Sequence, residues 1–300
     1  MAVRVVSDST SNIPAEMSEG LDIPLVSLSV ALDGTSWREL DMDTDEFWRL
    51  LAASGRMPTS SQPSVAEIVR VFEDLVSSGD DVVAVFLSSE MSGTYATALM
   101  ARDQVVERHP HAVIEIVDSR SNSMELGFAV LAAAKAAAGG ASAAEAAEAA
   151  RGIIDRSRFI FAPATLEYLR RGGRIGGASA LLGTMLQIHP ILTVADGKTD
   201  VLKRIRTKGR AYQEMVDIFA ADVAAKGLGD VIVHHIADQE AGEELAALAE
   251  RVAGRPVPVI PLGPVIGLHV GPGTAGLVYH TREPLGKNSA KQASSGAAES

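Results

Sequence analysis

The sequence predicts an α/β protein built as two domains. Short apolar runs alternate with amphipathic helical patterns, polar segments rich in glycine and serine follow several of those runs, and 300 residues exceed the roughly 100–200 that one domain organises. Nearly half of the residues are apolar but only 4% are aromatic, so Ala, Val, Leu and Ile do most of the packing. The formal net charge of −11 argues against a nucleic-acid binder, whose phosphate contacts need clustered Lys and Arg. With no cysteine, disulfides and thiolate chemistry are excluded and a cytoplasmic setting fits. Residues 1–8 lack the basic start and apolar stretch of a signal peptide, and no run approaches the ~18 apolar residues of a membrane span.

Val3 to Val6 reads as the first strand and leads into the polar turn Ser7-Asp8-Ser9-Thr10. Leu25 to Leu32 alternates like a half-buried strand and closes on the turn signal Asp33-Gly34. After the polar segment Thr59 to Ser64, Val65, Ile68, Val69, Phe72, Leu75 and Val76 share one helical face, and Ser64 with Glu67 forms a capping box that starts the helix. Val82 to Leu87 is a continuous apolar run and Val113 to Val117 is apolar but for Glu115, and both read as central strands covered on both faces. The helix between them begins near Thr94 and ends before Pro110, because proline disfavours helix in the residue ahead of it. The Ala-rich run from Phe128 to Ala150 carries Lys135, Glu145 and Glu148 and reads as two helices parted by Gly139-Gly140.

From about Phe159 the texture changes. A short strand gives way to a helix ending at Arg170-Arg171-Gly172-Gly173, and Gly176, Gly177 and Gly183 punctuate a second amphipathic stretch. Ile191 to Ala195 and Val201 to Ile205, joined through Asp196-Gly197-Lys198, read as an antiparallel pair. A helix from about Lys208 to Ala225, a strand at Val231 to His235 and a helix from Glu240 to Val252 follow. The domains are therefore placed at 1–157 and 158–282, with a small polar tail, 283–300, read as disordered.

A βα protein keeps its ligand loops at the carboxyl ends of its strands. Thr59-Ser60-Ser61-Gln62-Pro63-Ser64 and Ser88-Ser89-Glu90-Met91-Ser92-Gly93-Thr94-Tyr95 each precede a helix, whose unpaired N–H groups and hydroxyls suit an anion. The same residues serve equally as helix caps. His269, set among glycines and prolines in Gly263 to Thr274, can donate to a carboxylate and change charge near neutral pH, or bond a backbone carbonyl as a structural histidine. Arg170, Arg171 and Arg174 concentrate cations in an acidic chain, which as a bare cluster is a solvated surface. Asp8 and Asp118 each end a strand ahead of a serine, a place for orienting the hydroxyl loops. His234 and His235 are adjacent on a strand and point to opposite faces, so they do not chelate together. No zinc spacing, GxxxxGK[ST] loop or GxSxG elbow occurs.

In order, Asp8-Ser9-Thr10, Ser61-Gln62-Pro63-Ser64, Ser92-Gly93-Thr94-Tyr95, Val117-Asp118-Ser119, Gly172-Gly173-Arg174-Ile175, Arg206-Thr207 and His269-Val270-Gly271-Pro272-Gly273 resemble the motifs of the DegV family of FakB-type fatty-acid-binding proteins, from Val3 to about Tyr279. The resemblance implies a two-domain DegV-like fold, with a mostly parallel N-terminal sheet flanked by helices and a C-terminal α/β domain with a mixed sheet. It implies a long-chain fatty acid held between the domains, its carboxylate met by Ser60, Ser92, the Gly93 N–H and His269. Asp8, Ser9, Ser61, Gln62, Thr94, Asp118 and Ser119 would support the loops. It further implies an ATP-dependent fatty acid kinase partner resembling dihydroxyacetone kinases, with Arg174 and Arg206 facing it. Three positions depart from the pattern: Ser60 where threonine is frequent, Glu125 where glycine is common, and His189 where lysine often precedes Pro190-Ile191-Leu192.

The reading is a carrier without a cofactor, a metal or turnover of its own. Its rival is a serine-dependent acyl transferase or hydrolase with Ser92 as nucleophile and His269 as base, which requires the two within about 3 Å and an acid on the far nitrogen. A purely regulatory lipid sensor is a third reading.

Overall fold

The computed structural model describes residues 2–183 and 188–286. The chain is α/β and forms two compact units, one covering residues up to Ile154 together with Gly263–Val265, the other Asp155–Leu262 and the residues from Ile266 on.

The first unit runs β1 (Val3–Asp8), β2 (Leu25–Val26), β3 (Ser29–Leu32), β4 (Thr35–Arg38), α1 (Thr44–Ser54), β5 (Thr59–Ser61), α2 (Val65–Ser77), β6 (Asp81–Phe86), α3 (Thr94–Arg108), β7 (Ile114–Asp118), α4 (Ser123–Ala138) and α5 (Ala143–Ile154). A parallel sheet has the order β2-β1-β6-β7, and a small antiparallel sheet the order β4-β3-β5. Residues 82–86 of β6 are fully buried, as a strand paired on both edges and covered on both faces must be. Ile68 and Phe72 of α2 and Ala98, Ala101 and Val105 of α3 pack with Val82, Ala84 and Phe86. The helix α4 packs against β1 and α5, and its small buried Ala129 and Ala133 allow close approach.

Two expectations are corrected here. Leu25 to Leu32 is not one strand: Leu25–Val26 joins β1 in parallel, whereas Ser29–Leu32 pairs with β4 and β5. The break falls where backbone groups are spent elsewhere, because Leu28 N–H donates to Ser9 Oγ (3.1 Å) and Leu28 O accepts from Glu39 N–H (2.8 Å). The run ending at Val117 forms an edge strand, not a central one, with Val113 exposed just outside it. An apolar run reports covered faces, and α3 and α5 cover β7 without adding a ladder to its outer edge.

Ser64 caps α2 by accepting from Glu67 N–H at 3.2 Å. Glu67 does not return the bond; its carboxylate pairs with Arg38 at 3.0 Å, so half of the capping box forms.

The second unit runs β8 (Ser157–Ala162), α6 (Glu167–Arg171), a 3-10 turn (Gly176–Leu181), β9 (His189–Ala195), β10 (Lys198–Ile205), α7 (Lys208–Lys226), β11 (Leu228–Ile236), α8 (Gln239–Ala253), β12 (Val259–Pro261), α9 (Pro264–Val270) and β13 (Thr274–Thr281). Its sheet, β10-β9-β8-β13-β11-β12, is mixed, since β11 and β12 are parallel and the other pairs antiparallel. Asp196 and Gly197, at φ 50° and 82°, make the two-residue turn between β9 and β10. Tyr212, Met215 and Phe219 of α7 and Leu245 and Ala249 of α8 bury against Ile160, Val233, Leu277 and Tyr279. Buried Arg158 is satisfied by Asp222 (3.3 Å), which also accepts from Tyr279 OH (2.6 Å).

Of the segment read as a tail, Glu283 N–H donates to Lys226 O (3.3 Å) and Leu285 N–H to Asp155 O (3.1 Å). The rest of it, 287–300, lies outside the described residues, as do 184–187 of the stretch around Gly183. No described helix is long and apolar enough to cross a membrane.

Candidate functional site

In the first unit, two aspartates bind the loops together at the carboxyl end of the parallel sheet. Asp8, fully buried at the end of β1, accepts from Thr10 N–H (2.9 Å) and Thr10 Oγ1–H (2.5 Å), and on its other oxygen from Leu87 N–H (2.9 Å). Burial pushes its carboxyl up to about 6 against the pull of those hydrogen bonds. Asp118, ending β7, accepts from Ser89 Oγ–H (2.6 Å), Ser89 N–H (3.2 Å) and Arg120 N–H (2.9 Å). Ser119 closes its own turn, Oγ donating to Ser121 O and accepting from Ser121 N–H, both at 3.1 Å.

The Ser92-Gly93-Thr94 segment starts α3. Ser92 Oγ lies 2.9 Å from Thr94 Oγ1 and accepts from Thr94 N–H at 3.2 Å, while Gly93 is the N-cap residue. The Gln62 side chain lies across Gly93, and a Cβ there would collide with Gln62 Oε1. Gln62 Nε2 donates to Thr97 Oγ1 (2.7 Å), which donates to Gly93 O (3.0 Å). Ser61-Gln62-Pro63-Ser64 and Ser92-Gly93-Thr94 are thus brought together. Ser60 and Ser61 are not in a loop following the parallel sheet; they sit in β5, opposite Val30 and Ser29 of the small sheet. Ser60 is half-buried there.

Sequence reasoning missed Glu39. Its side chain is buried, Oε2 accepting from Ser9 Oγ–H at 2.5 Å and Oε1 from Val265 N–H at 2.8 Å. Burial raises its carboxyl to about 7 over the lowering effect of those bonds, and the Asp8 charge adds to the rise. Nothing in Trp37-Arg38-Glu39-Leu40 signals burial, because the residue sits in a 3-10 turn with no periodicity to read. Glu125, which stands where glycine is common in the family pattern, is another buried carboxylate. It lies at the start of α4 and accepts from Ser121 Oγ–H, so it does not shape the surface.

In the second unit, His269 stands in the last turn of α9, not in an irregular turn. Its ring lies over Gly172, where a Cβ would collide with Nδ1, and the Tyr168 ring lies likewise over Gly271, at φ 95°. Burial, with the Arg174 charge adding to it, lowers the imidazole to about 4. His269 is therefore neutral at neutral pH and its charge does not respond there. Arg174 is exposed and its Nη1 donates to Gly172 O at 2.6 Å, so Arg174 and His269 gather around one glycine. Arg170 and Arg171 both close on Glu167, holding that carboxylate well below its usual range, at about 2.

Arg206 is exposed and lines an open cleft of about 440 Å³ with Arg204, Arg210, Gln213, Glu214 and Asp217. His189 is exposed at the start of β9. His234 is buried with Nδ1 3.0 Å from Ile260 O, and burial lowers it to about 4, a structural histidine. No cluster of three or more potential metal ligands occurs among the described residues.

A family model described as "Uncharacterised protein, DegV family" matches residues 2–282. A DegV domain-containing protein of Clostridium acetobutylicum is 46% identical over 289 residues, covering 95% of this chain and 100% of that protein. A DegV family protein from Thermus thermophilus, described by its fatty acid binding, superposes with a TM-score of 0.82 at 31% identity, covering 94% of this chain and 100% of the other. A stearic acid-binding protein from Eubacterium ventriosum superposes with a TM-score of 0.84 at 26% identity, covering 93% and 98%.

Proposed function

We propose that this chain, which belongs to the DegV family, is a fatty-acid carrier that presents its ligand's carboxylate to a separate ATP-dependent kinase. The observation that carries the reading is the state of the loops around Gly93. Hydroxyls and a helix N-terminus collect there, while the neighbouring Asp8 and Asp118 spend their oxygens on loop N–H and O–H groups. A region with its own negative charge so occupied favours a carboxylate. The fatty acid binding described for two structural relatives supports the same ligand class.

In this proposal Ser60, Ser92 and the Gly93 N–H are carboxylate ligands from the first unit, and His269 donates as a neutral imidazole from the second. Arg174 and Arg206, both exposed, face the partner. In the partner's reaction a carboxylate oxygen attacks the γ-phosphorus of ATP, the bond to the bridging oxygen breaks, and acyl phosphate and ADP leave. The carrier contributes orientation and desolvation of the acid.

The hydrolase reading is disfavoured by the histidines. Those of Ser92's own unit, His109 and His111, lie beyond the far end of α3, whose 15 residues span about 22 Å. His269, held near 4, is a weak general base at neutral pH.

Native mass spectrometry of the purified protein, followed by lipid extraction, tests the proposal. A long-chain fatty acid should co-purify or load stoichiometrically on addition. Apoprotein that takes up no added acid would sink it.

A further inference from the structure

We infer that Glu39 is a positioning residue for His269: its carboxyl group holds the first turn of α9, the helix that carries His269 one turn on. The contact is built from both sides. Glu39 is fixed by its own N–H on Leu28 O (2.8 Å) and by Ser9 Oγ–H on Oε2 (2.5 Å), and Ser9 is fixed by Leu28 N–H (3.1 Å). Its free oxygen, Oε1, receives Val265 N–H at 2.8 Å. The chain just ahead of Val265 comes so close that a Cβ on Gly263 would lie 2.5 Å from Glu39 Oε1. Asn12, its amide turned to donate to Thr10 O (3.0 Å), accepts from Gly263 N–H (3.2 Å).

An N–H in the first turn of a helix has no acceptor within the helix, so an outside acceptor fixes where the helix begins. From Val265 to His269 is four residues, about 6 Å of rise, too short for a displacement at one end to be absorbed before the other. Two glycines complete the arrangement. Gly263 admits Glu39, and Gly172 admits the His269 ring.

The charged group facing Glu39 is Asp8 of β1. Arg38, beside it in sequence, pairs with Asp41 and Glu67, while Ser9, Asn12, Leu28 and residues 263–265 bring no charge. Val265 needs an acceptor oxygen, which a carboxylate, a carboxylic acid and an amide all supply. The positioning therefore depends on reach and not on charge.

The inference rests on the proposed role of His269 for its consequence in binding, but not for its geometry. Two measurements separate them. The first is an NMR titration of the His269 ring in ligand-free protein. Wild type and Glu39→Gln should titrate near 4, whereas Glu39→Ala and Gly263→Ala should move toward the ordinary 6.5 as the ring leaves its buried place. The Gly263→Ala variant disturbs the contact while leaving Glu39 intact, which keeps the test decisive if Glu39→Ala does not fold. An unmoved ring in whichever of these variants fold overturns the inference.

The second measurement is fatty-acid titration. Glu39→Ala should lose the roughly 10- to 150-fold in affinity that losing a hydrogen bond to a charged group costs, and Glu39→Gln no more than about twofold. Glu39→Ala/His269→Ala should bind no more weakly than His269→Ala alone, since one residue acts through the other. Additive losses, or a Gln variant as weak as the Ala variant, overturn the inference. Wild type that binds no fatty acid defeats the carrier proposal, while the ring titration still decides the role of Glu39.

Discussion

Asp8 and Glu39 are carboxyl groups that burial holds near neutrality, at about 6 and about 7. A folded-state value raised above the unfolded one contributes stability that is complete below the unfolded value, near 4.5 for Glu39, and is lost as pH rises through 7. Relative to Glu39→Gln, wild type should thus lose roughly 3 kcal/mol between pH 4.5 and 8, at about 1.36 kcal/mol per unit. Urea unfolding of both proteins at several pH values measures this, and a difference that stays constant or grows with pH contradicts it. Comparing the two variants cancels His269 and His234, whose lowered values act in the opposite sense. Ser92 and Arg174 divide differently. With Ser92 as the proposed carboxylate ligand, Ser92→Ala should weaken fatty-acid binding roughly 10- to 150-fold, the cost of one hydrogen bond to a charged group. Arg174→Ala should leave binding nearly intact and impair kinase-dependent phosphorylation, and the inverse pattern would transfer the carboxylate to the arginine. That Asp8 and Asp118 brace their loops was legible, because aspartate and serine after an apolar run have a mechanical meaning. Glu39 was not, because a partner 226 positions away in sequence leaves no local trace.

Elements with their own signals were readable: α2 from Ser64 and its apolar stripe, the helix pair around Gly139-Gly140, and the β9–β10 hairpin from Asp196-Gly197. Those whose identity depends on distant chain were not. Leu25 to Leu32 alternates evenly, yet two sheets divide it. The strand β13 pairs with β8 and β11, and α9 is a seven-residue helix in a stretch whose glycines and prolines argue for a turn. The approach of β5 to α3 gives a test at this scale. Gly93→Ala drives a methyl into the Gln62 amide, so Gln62 must swing away and forfeit Thr97. The cost should be about 1 kcal/mol by chemical denaturation. In the Gln62→Ala background the same change should cost almost nothing, and equal costs in both backgrounds would mean the two segments are not coupled there.

For the whole chain, the proposed division of labour between carrier and kinase sets the expected chemistry. Incubated alone with ATP and a fatty acid, the protein should form no acyl phosphate, and a cognate kinase should restore it. Turnover by the isolated chain, abolished in Ser92→Ala, would establish the enzyme reading instead. Two bodies and their sheet types could be anticipated from the changing texture near Phe159 and from the motif order. The membership of Gly263–Val265 could not, because those residues follow β12 in sequence yet belong with β1 to α5. That membership bears on recombination. A graft exchanging only residues 1–154 between relatives would part Glu39 and Asn12 from the peptide groups they were fitted to. The heritable module is discontinuous, so productive chimaeras should be those in which the tripeptide travels with the distant segment.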